Sequence, residues 1–258
     1  MDSTTGLDFS GQSLEEPDFS NSRLHNGNFE NARITGAWLH NADIDGYIGG
    51  LKINGVEVAR LIDKELNRLY PERGKLRADN PSTLAAAWAI IEDLWQATVD
   101  RAKALPEPLL DERVNGEWSF VETLRHLIFA TDAWLLFMVK REPRPYHPWG
   151  LPHTEFREGP KLGVDESASP SLEEVLQVRR QRMATVKELI ANVDSKDLER
   201  HAEPPDEAGY PQRSETVQTC FRIILDEEWA HNLYANRDLG ILEARLRAES
   251  AGSQEANR

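Results

Sequence analysis

NGEWSFVETLRHLIFATDAWL (115–135) and ILDEEWAHNLYANRDL (224–239) are the two stretches on which the fold turns. In the first, Ser119-Phe-Val-Glu122 has the spacing of a capping box, in which a hydroxyl and a carboxylate three residues apart satisfy each other's free backbone N–H groups. The apolar run behind it predicts a helix to about Val139. His126 shares a helix face with Ala130, Ala133 and Phe137, an inward-looking set. In the second stretch Glu227 and His231 are four apart, so both can converge on one point. Their face also carries Cys220, Ile224 and Tyr234. The sequence therefore predicts two core helices that carry polar groups on their buried sides.

Working outward, two further long helices are expected. One starts at Asn80-Pro81, a capping residue followed by proline at the first helical position, and ends before Pro106. The other opens with Ser171-Leu-Glu-Glu174, a second capping box, and runs to about Asn192. The helix carrying His231 is expected from near Thr216 to about Arg237, with an extension through Leu246. Residues 51–79 read as a connecting turn at Asn54-Gly55 and a short amphipathic helix over Val58–Leu69, stopped by Pro71. Residues 247–258 read as a polar flexible tail. Residues 80–246 are thus expected to be a four-helix bundle.

The first fifty residues follow a different rule. Phe9, Leu14, Phe19, Leu24, Phe29, Ile34, Leu39 and Ile44 are apolar and spaced five apart. Five residues turn an α-helix by about 500°, which leaves successive members about 140° apart, so no stripe forms. On a strand an odd spacing alternates faces. Two residues after each apolar centre stand Gly11, Glu16, Asn21, Asn26, Asn31, Gly36, Asn41 and Gly46. Gly and Asn are the residues that best accept tight turns. A coil turning a corner every five residues satisfies both observations. The segment resembles the pentapeptide-repeat family, which implies a short right-handed β-helix of about two coils over residues 7–50. The family's small residue two before the centre is present at Ser22, Gly27, Ala32, Ala37 and Ala42, and absent at Leu7, Gln12 and Pro17. His25 and His40 follow apolar centres and are expected to face solvent. The segment reads as structural or as a docking surface, through which the chain would meet a second copy or a partner protein.

Composition narrows the function. The 258 residues carry 30 Lys+Arg against 44 Asp+Glu, a formal charge of −14. Nucleic-acid affinity rests mainly on cations that neutralise phosphates, so a nucleic-acid partner is not expected. No apolar run approaches the ~18 residues of a membrane span, and MDSTTGLDFS lacks the basic and apolar regions of a secretory leader. A cytoplasmic protein is the expectation. Cys220 stands alone, which excludes an intrachain disulfide and an all-cysteine metal site.

On spacing alone two readings of His126, Glu227 and His231 stand side by side. They are either three nitrogen and oxygen ligands that leave a fourth position open, the layout of a catalytic zinc, or an i,i+4 helix pair beside a core histidine. The two opening stretches are similar to the DinB superfamily of metal-binding four-helix bundles over about residues 80–245. In that family one histidine comes from the second helix and two ligands, four apart, from the fourth. The commonest pattern has histidine at the middle position, where this chain has Glu227. The mycothiol-dependent maleylpyruvate isomerase branch carries His, Glu and His on zinc. The resemblance therefore implies zinc, or another divalent transition metal, on His126, Glu227 and His231.

It further implies a thiol S-transferase or isomerase of the mycothiol type. A metal-held thiolate would attack a small electrophilic substrate, so the partners are a small-molecule thiol and an electrophile. Cys220, mid-helix on the inner face, is a poor nucleophile. Asp226 and Glu228 are expected to face solvent or neighbouring helices; Arg179, Arg180 and Arg182 could meet an anionic substrate, but among so many acids surface ion pairs are the expected role. The connection Tyr146–His153, stiffened by Pro148 and Pro152, offers His147, Trp149 and His153 either as a pocket wall, with Tyr234, or as a rigid crossover. Two other functions compete. One is a non-catalytic binding module with the metal closed by a fourth ligand such as His147 or His153; the other is a zinc-dependent hydrolase. The ergothioneine-synthesis branch is disfavoured because its large second catalytic domain is missing.

Overall fold

A computed structural model describes residues 6–154, 156–205 and 208–256, with side chains through residue 250. The first five residues of the chain and the last two of the expected tail lie outside it. The chain divides into two compact units, 1–48 and 49–258.

In the first unit the five-residue rule governs the backbone. Gly6, Gly11, Glu16, Asn21, Asn26, Asn31, Gly36, Asn41 and Gly46 all have positive φ, a corner every fifth residue. Every tenth residue a tight turn closes, with the amides of Gln12, Ser22, Ala32 and Ala42 donating to the carbonyls of Phe9, Phe19, Phe29 and Leu39 at 3.0–3.1 Å. Asp8, Asp18 and Asn28 brace these turns by accepting from the amide two residues on. The expected closed β-helix, however, is not formed. No strand pairing occurs among the described residues of this unit, and the apolar centres remain 43% (Leu14) to 66% (Ile34) exposed. The physical reason is the number of repeats. Repeat stacks bury a core between layers, and two coils give each centre at most one layer to rest on.

The second unit opens with a hairpin, β1 (Lys52–Ile53) against β2 (Val56–Glu57). Asn54 and Gly55 join them with φ of 50° and 82°, the pair of positive values that a two-residue hairpin turn needs. Helix α1 (Ala59–Leu69) follows, then a tight helical turn over Pro71–Leu76. Helix α2 (Pro81–Lys103) starts where Asn80 accepts from the Thr83 amide. After short α3 (Glu107–Leu110), α4 (Phe120–Thr131) begins at the Ser119/Glu122 capping box. It then continues through Asp132–Val139 in π geometry, with i→i+5 hydrogen bonds in place of i→i+4; the Lys140 amide reaches back to the Leu135 carbonyl at 2.9 Å. Helix α5 (Leu172–Asn192) starts at the Ser171/Glu174 box. Short α6 (Ser195–Glu199) leads into β3 (His201–Ala202), antiparallel to β4 (Glu215–Thr216). Helix α7 (Val217–Ala256) closes the chain.

The residues expected to form a flexible tail are therefore helical to Ala256. Ala, Glu, Arg and Leu dominate the stretch after Gly240, and all are good helix formers. Arg245 adds a forked pair to Glu112 at 2.6 and 2.7 Å.

Helices α2, α4, α5 and α7 pack in a ring, α2 and α4 each against both α5 and α7. The core they enclose is built from side chains such as Trp88, Ile91 and Trp95 of α2, Leu124, Leu127 and Ile128 of α4, Val175, Val186 and Ile190 of α5, and Phe221, Ile224 and Leu225 of α7. Each buried aliphatic or aromatic group contributes about 1.5–3 kcal/mol. That is ample to hold a few polar groups in the interior. Among the described residues no helix is long and apolar enough to cross a membrane.

Candidate metal centre

The capping box fixes where α4 begins, and His126 follows Ser119 by two turns. Its ring is buried, 6% exposed, and its Nδ1 lies 3.0 Å from the carbonyl oxygen of Leu151. A carbonyl only accepts, so Nδ1 carries the proton. That leaves Nε2 as the ring nitrogen that faces Glu227. The Leu151 carbonyl is delivered by the long connection after α4. Leu151 donates its own amide to the Arg125 carbonyl at 3.1 Å. The buried Arg125 guanidinium, next door to His126, gathers the carbonyls of Trp149, Ala168 and Asp165 at 2.6–2.9 Å. One helical turn thus holds both the histidine and the loop that orients it.

Helix α7 supplies the rest. Glu227 and His231 are one turn apart, and Glu227 Oε2 stands 3.1 Å from His231 Nε2 and 3.3 Å from His126 Nε2. The ligand atoms of the three residues all lie within 4.8 Å of one another, and no further His, Cys, Asp or Glu joins them among the described residues. The Trp118 ring covers the pair of imidazoles, its centroid 4.6 Å from that of His126 and 6.0 Å from that of His231. The Tyr234 ring lies 6.0 Å from His231 on the same helix. The Glu227 side chain remains 34% exposed, against 7% for that of His126.

The electrostatics follow from this geometry. Burial works against the Glu227 charge, yet the two imidazoles more than offset it and hold the carboxyl well below the usual carboxylate range. Burial holds the His231 imidazole below its ordinary pKa, which favours the neutral, ligating form. A carboxylate oxygen therefore faces two imidazole nitrogens that come from two different helices, at 3.3 and 3.1 Å. Lone pairs directed at each other repel unless a proton or a cation lies between them. Two imidazole nitrogens and one carboxylate are a donor set that suits a borderline divalent ion such as zinc.

The other residues singled out by the sequence fall elsewhere. His147 donates its backbone amide to Asp132 at 2.8 Å, and its Nδ1 accepts from the Trp149 amide. The His153 ring sits against Tyr210 and Phe156. Of the four expected pocket-lining residues, Tyr234 alone has a ring contact with the His126–Glu227–His231 cluster among the described residues; the connection reaches it through a backbone carbonyl. Arg180 is exposed and pairs with Glu173, as expected of a surface cation. Arg182 and Arg179 are not surface partners. Arg182 pairs with the wholly buried Asp132 at 2.5 Å, and Arg179 with the wholly buried Glu228 at 2.7 Å. Both carboxylates face inward because the adjacent α5 brings a guanidinium to meet them. Cys220 is fully buried and its thiol is pushed up to about 12 by burial, so it is inert.

Trp118, Arg125 and the Leu151 carbonyl were not singled out by the sequence pattern. Trp118 directly precedes the Ser119 cap, and that adjacency to the start of the histidine helix is the one signal that marks it. A model of the DinB superfamily matches residues 90–235, more than half of the chain. No curated protein and no solved structure matches the chain.

Proposed function

The chain belongs to the DinB superfamily, and from that premise we propose that it is a zinc-dependent thiol S-transferase or isomerase. His126, Glu227 and His231 are the metal ligands, and a low-molecular-weight thiol of the mycothiol type is the co-substrate. One observation carries the reading. The Glu227 carboxylate oxygen stands 3.3 and 3.1 Å from one ring nitrogen each of His126 and His231, while the other ring nitrogen of His126 is bonded to the Leu151 carbonyl. When bound, zinc supplies an electrophilic centre that lowers the pKa of a thiol or water at its open position.

The protein's own groups do the rest. His126 and His231 hold the ion from two helices. Glu227 supplies charge and, being partly exposed, the side of approach. Trp118 covers the imidazole faces and keeps bulk water off them. The absence of a fourth candidate ligand among the described residues supports an open, catalytic type of centre over a closed structural one. With Cys220 buried and protonated, the nucleophilic sulfur has to arrive with a substrate. The reducing cytoplasm is the compartment that suits this chemistry.

The test is metal content after purification without a histidine tag, for the wild type and for His126→Ala, Glu227→Ala and His231→Ala. About one zinc per chain in the wild type, lost in each variant, is expected. In the cobalt-substituted protein an added thiol should shift the visible ligand-field bands, whereas a hydrolase using metal-held water would be indifferent to it. A folded wild type that refuses zinc and cobalt overturns the proposal.

A further inference from the structure

Next to Glu227, helix α7 carries a second carboxylate that looks the other way. Glu228 is fully buried, and its Oε2 accepts from Arg179 Nη2 of α5 at 2.7 Å. Arg179 is 2% exposed, with its guanidinium carbon 5.9 Å from the centre of the Trp95 ring of α2. Glu228 Oε1 and Arg179 Nη1 have no hydrogen-bond partner among the described residues. The pair is therefore joined by a single hydrogen bond where a fork would allow two. Such a pair is a weak source of stability, because removing both charges from water cancels most of their attraction, and apolar residues of equal volume do as well or better. Its place in the fold gives it another use.

Consecutive residues leave a helix about 100° apart. Glu227 points to the histidines of the site, so Glu228 points to α5. A tie from Glu228 to a neighbouring helix fixes the rotation of α7 about its own axis. A group about 6 Å from that axis moves about 1 Å for every 10° of rotation. Glu227 Oε2 and His231 Nε2 would both be carried away from His126 by such a turn.

We propose that the Arg179–Glu228 pair is a positioning device for the metal centre: it sets the rotation of α7 so that Glu227 and His231 meet His126. The inference rests on the metal reading above. Its test is a cobalt(II) titration of the metal-free full-length chain, followed by visible absorption, with urea unfolding measured on the same samples. Arg179→Met/Glu228→Met, which replaces the pair by apolar groups, is expected to unfold no more easily than the wild type. It should bind cobalt about 10–100-fold more weakly, with altered ligand-field bands. Wild-type affinity and bands in this variant would overturn the proposal.

Arg179→Lys is the second probe, should the double variant fail to fold. It keeps the charge and loses the guanidinium geometry, and it is expected to weaken and alter cobalt binding as well. If its affinity and spectrum match the wild type, the proposal falls. The two readings fail differently. A folded wild type without cobalt binding removes the metal centre itself, whereas a wild type that binds no better than these variants removes only the positioning role.

Discussion

His126 donates its Nδ1 proton to the carbonyl oxygen of Leu151, 25 residues further along the chain, at 3.0 Å. That bond sets the tautomer and the ring plane of the histidine at the centre of the site. Its acceptor belongs to a connection, not a helix, so the geometry of the centre depends on how firmly that connection is held.

Arg125 does the holding, with hydrogen bonds to the carbonyls of Trp149, Ala168 and Asp165. Arg125→Met keeps the length of the side chain and removes every one of these donors. The expected outcome is a loss of about 2–4 kcal/mol in urea unfolding, because three hydrogen bonds from a buried charged group are lost together. Metal affinity should fall by about 10–100-fold as Leu151 loosens from His126. Isothermal titration with zinc alongside the unfolding curves checks both; intact affinity would show that the loop holds its place without Arg125.

Asp132 gives the fold a pH signature. Its carboxyl is pushed up to about 6 from 3.8, because burial outweighs the Arg182 guanidinium and the His147 amide that stabilise the charge, with Glu142 adding to the rise. A raised acid pKa means that the folded state binds this proton more tightly than the unfolded chain. The contribution to stability is complete below about pH 4 and is lost as pH rises through about 6. A shift of about two units corresponds to about 3 kcal/mol. The stability of the wild type relative to Asp132→Asn should therefore decline by about that amount between pH 4 and pH 7. A difference that stays flat across this range would contradict the assignment.

Cys220 should resist labelling. With its pKa pushed to about 12, the thiolate fraction at pH 8 is about a thousandfold below that of an ordinary cysteine, before occlusion is counted. Native protein is expected to leave iodoacetamide and disulfide reagents unreacted on the timescale that labels urea-unfolded chain completely. Cys220→Ala should keep its metal. Rapid labelling of the native protein would return this residue to the list of nucleophiles.

Gly209 is kept small by an aromatic ring. A Cβ at this position would come within 1.8 Å of Phe137, which is fully buried. Gly209→Ala should cost about 1–3 kcal/mol by overpacking, and much less in a Phe137→Leu background. Equal costs in both backgrounds, from a double-mutant cycle, would mean that the clash is relieved elsewhere.

What was legible beforehand was what side chains announce. Asn80, Ser119 and Ser171 mark three helix starts to within a residue, since a capping box is a local exchange of hydrogen bonds. The spacing of Glu227 and His231 puts them on one face for the same local reason. The Leu151 carbonyl was not legible, because every residue has a carbonyl and only the path of the connection selects one. Which of the two sides expected of Glu228 it takes, solvent or a neighbouring helix, was not legible either. That choice is made by a guanidinium on another helix, 49 residues away. In the first unit the five-residue period correctly gave the corners, while the closure of a β-helix needs layers that a period cannot count.

The π segment at Asp132–Val139 bears on how this chain tolerates a change of length. Each i→i+5 closure takes one more residue into a turn than an i→i+4 closure does, so this part of the helix carries a residue in surplus. A one-residue deletion in an ordinary helix rotates every later side chain off its face. Here the same deletion can be absorbed by closing the wide turn, and because the helix ends at Val139 no later helical face is displaced. The end of the helix that carries His126 is thus a place where the chain can lose a residue without turning His126 off its face.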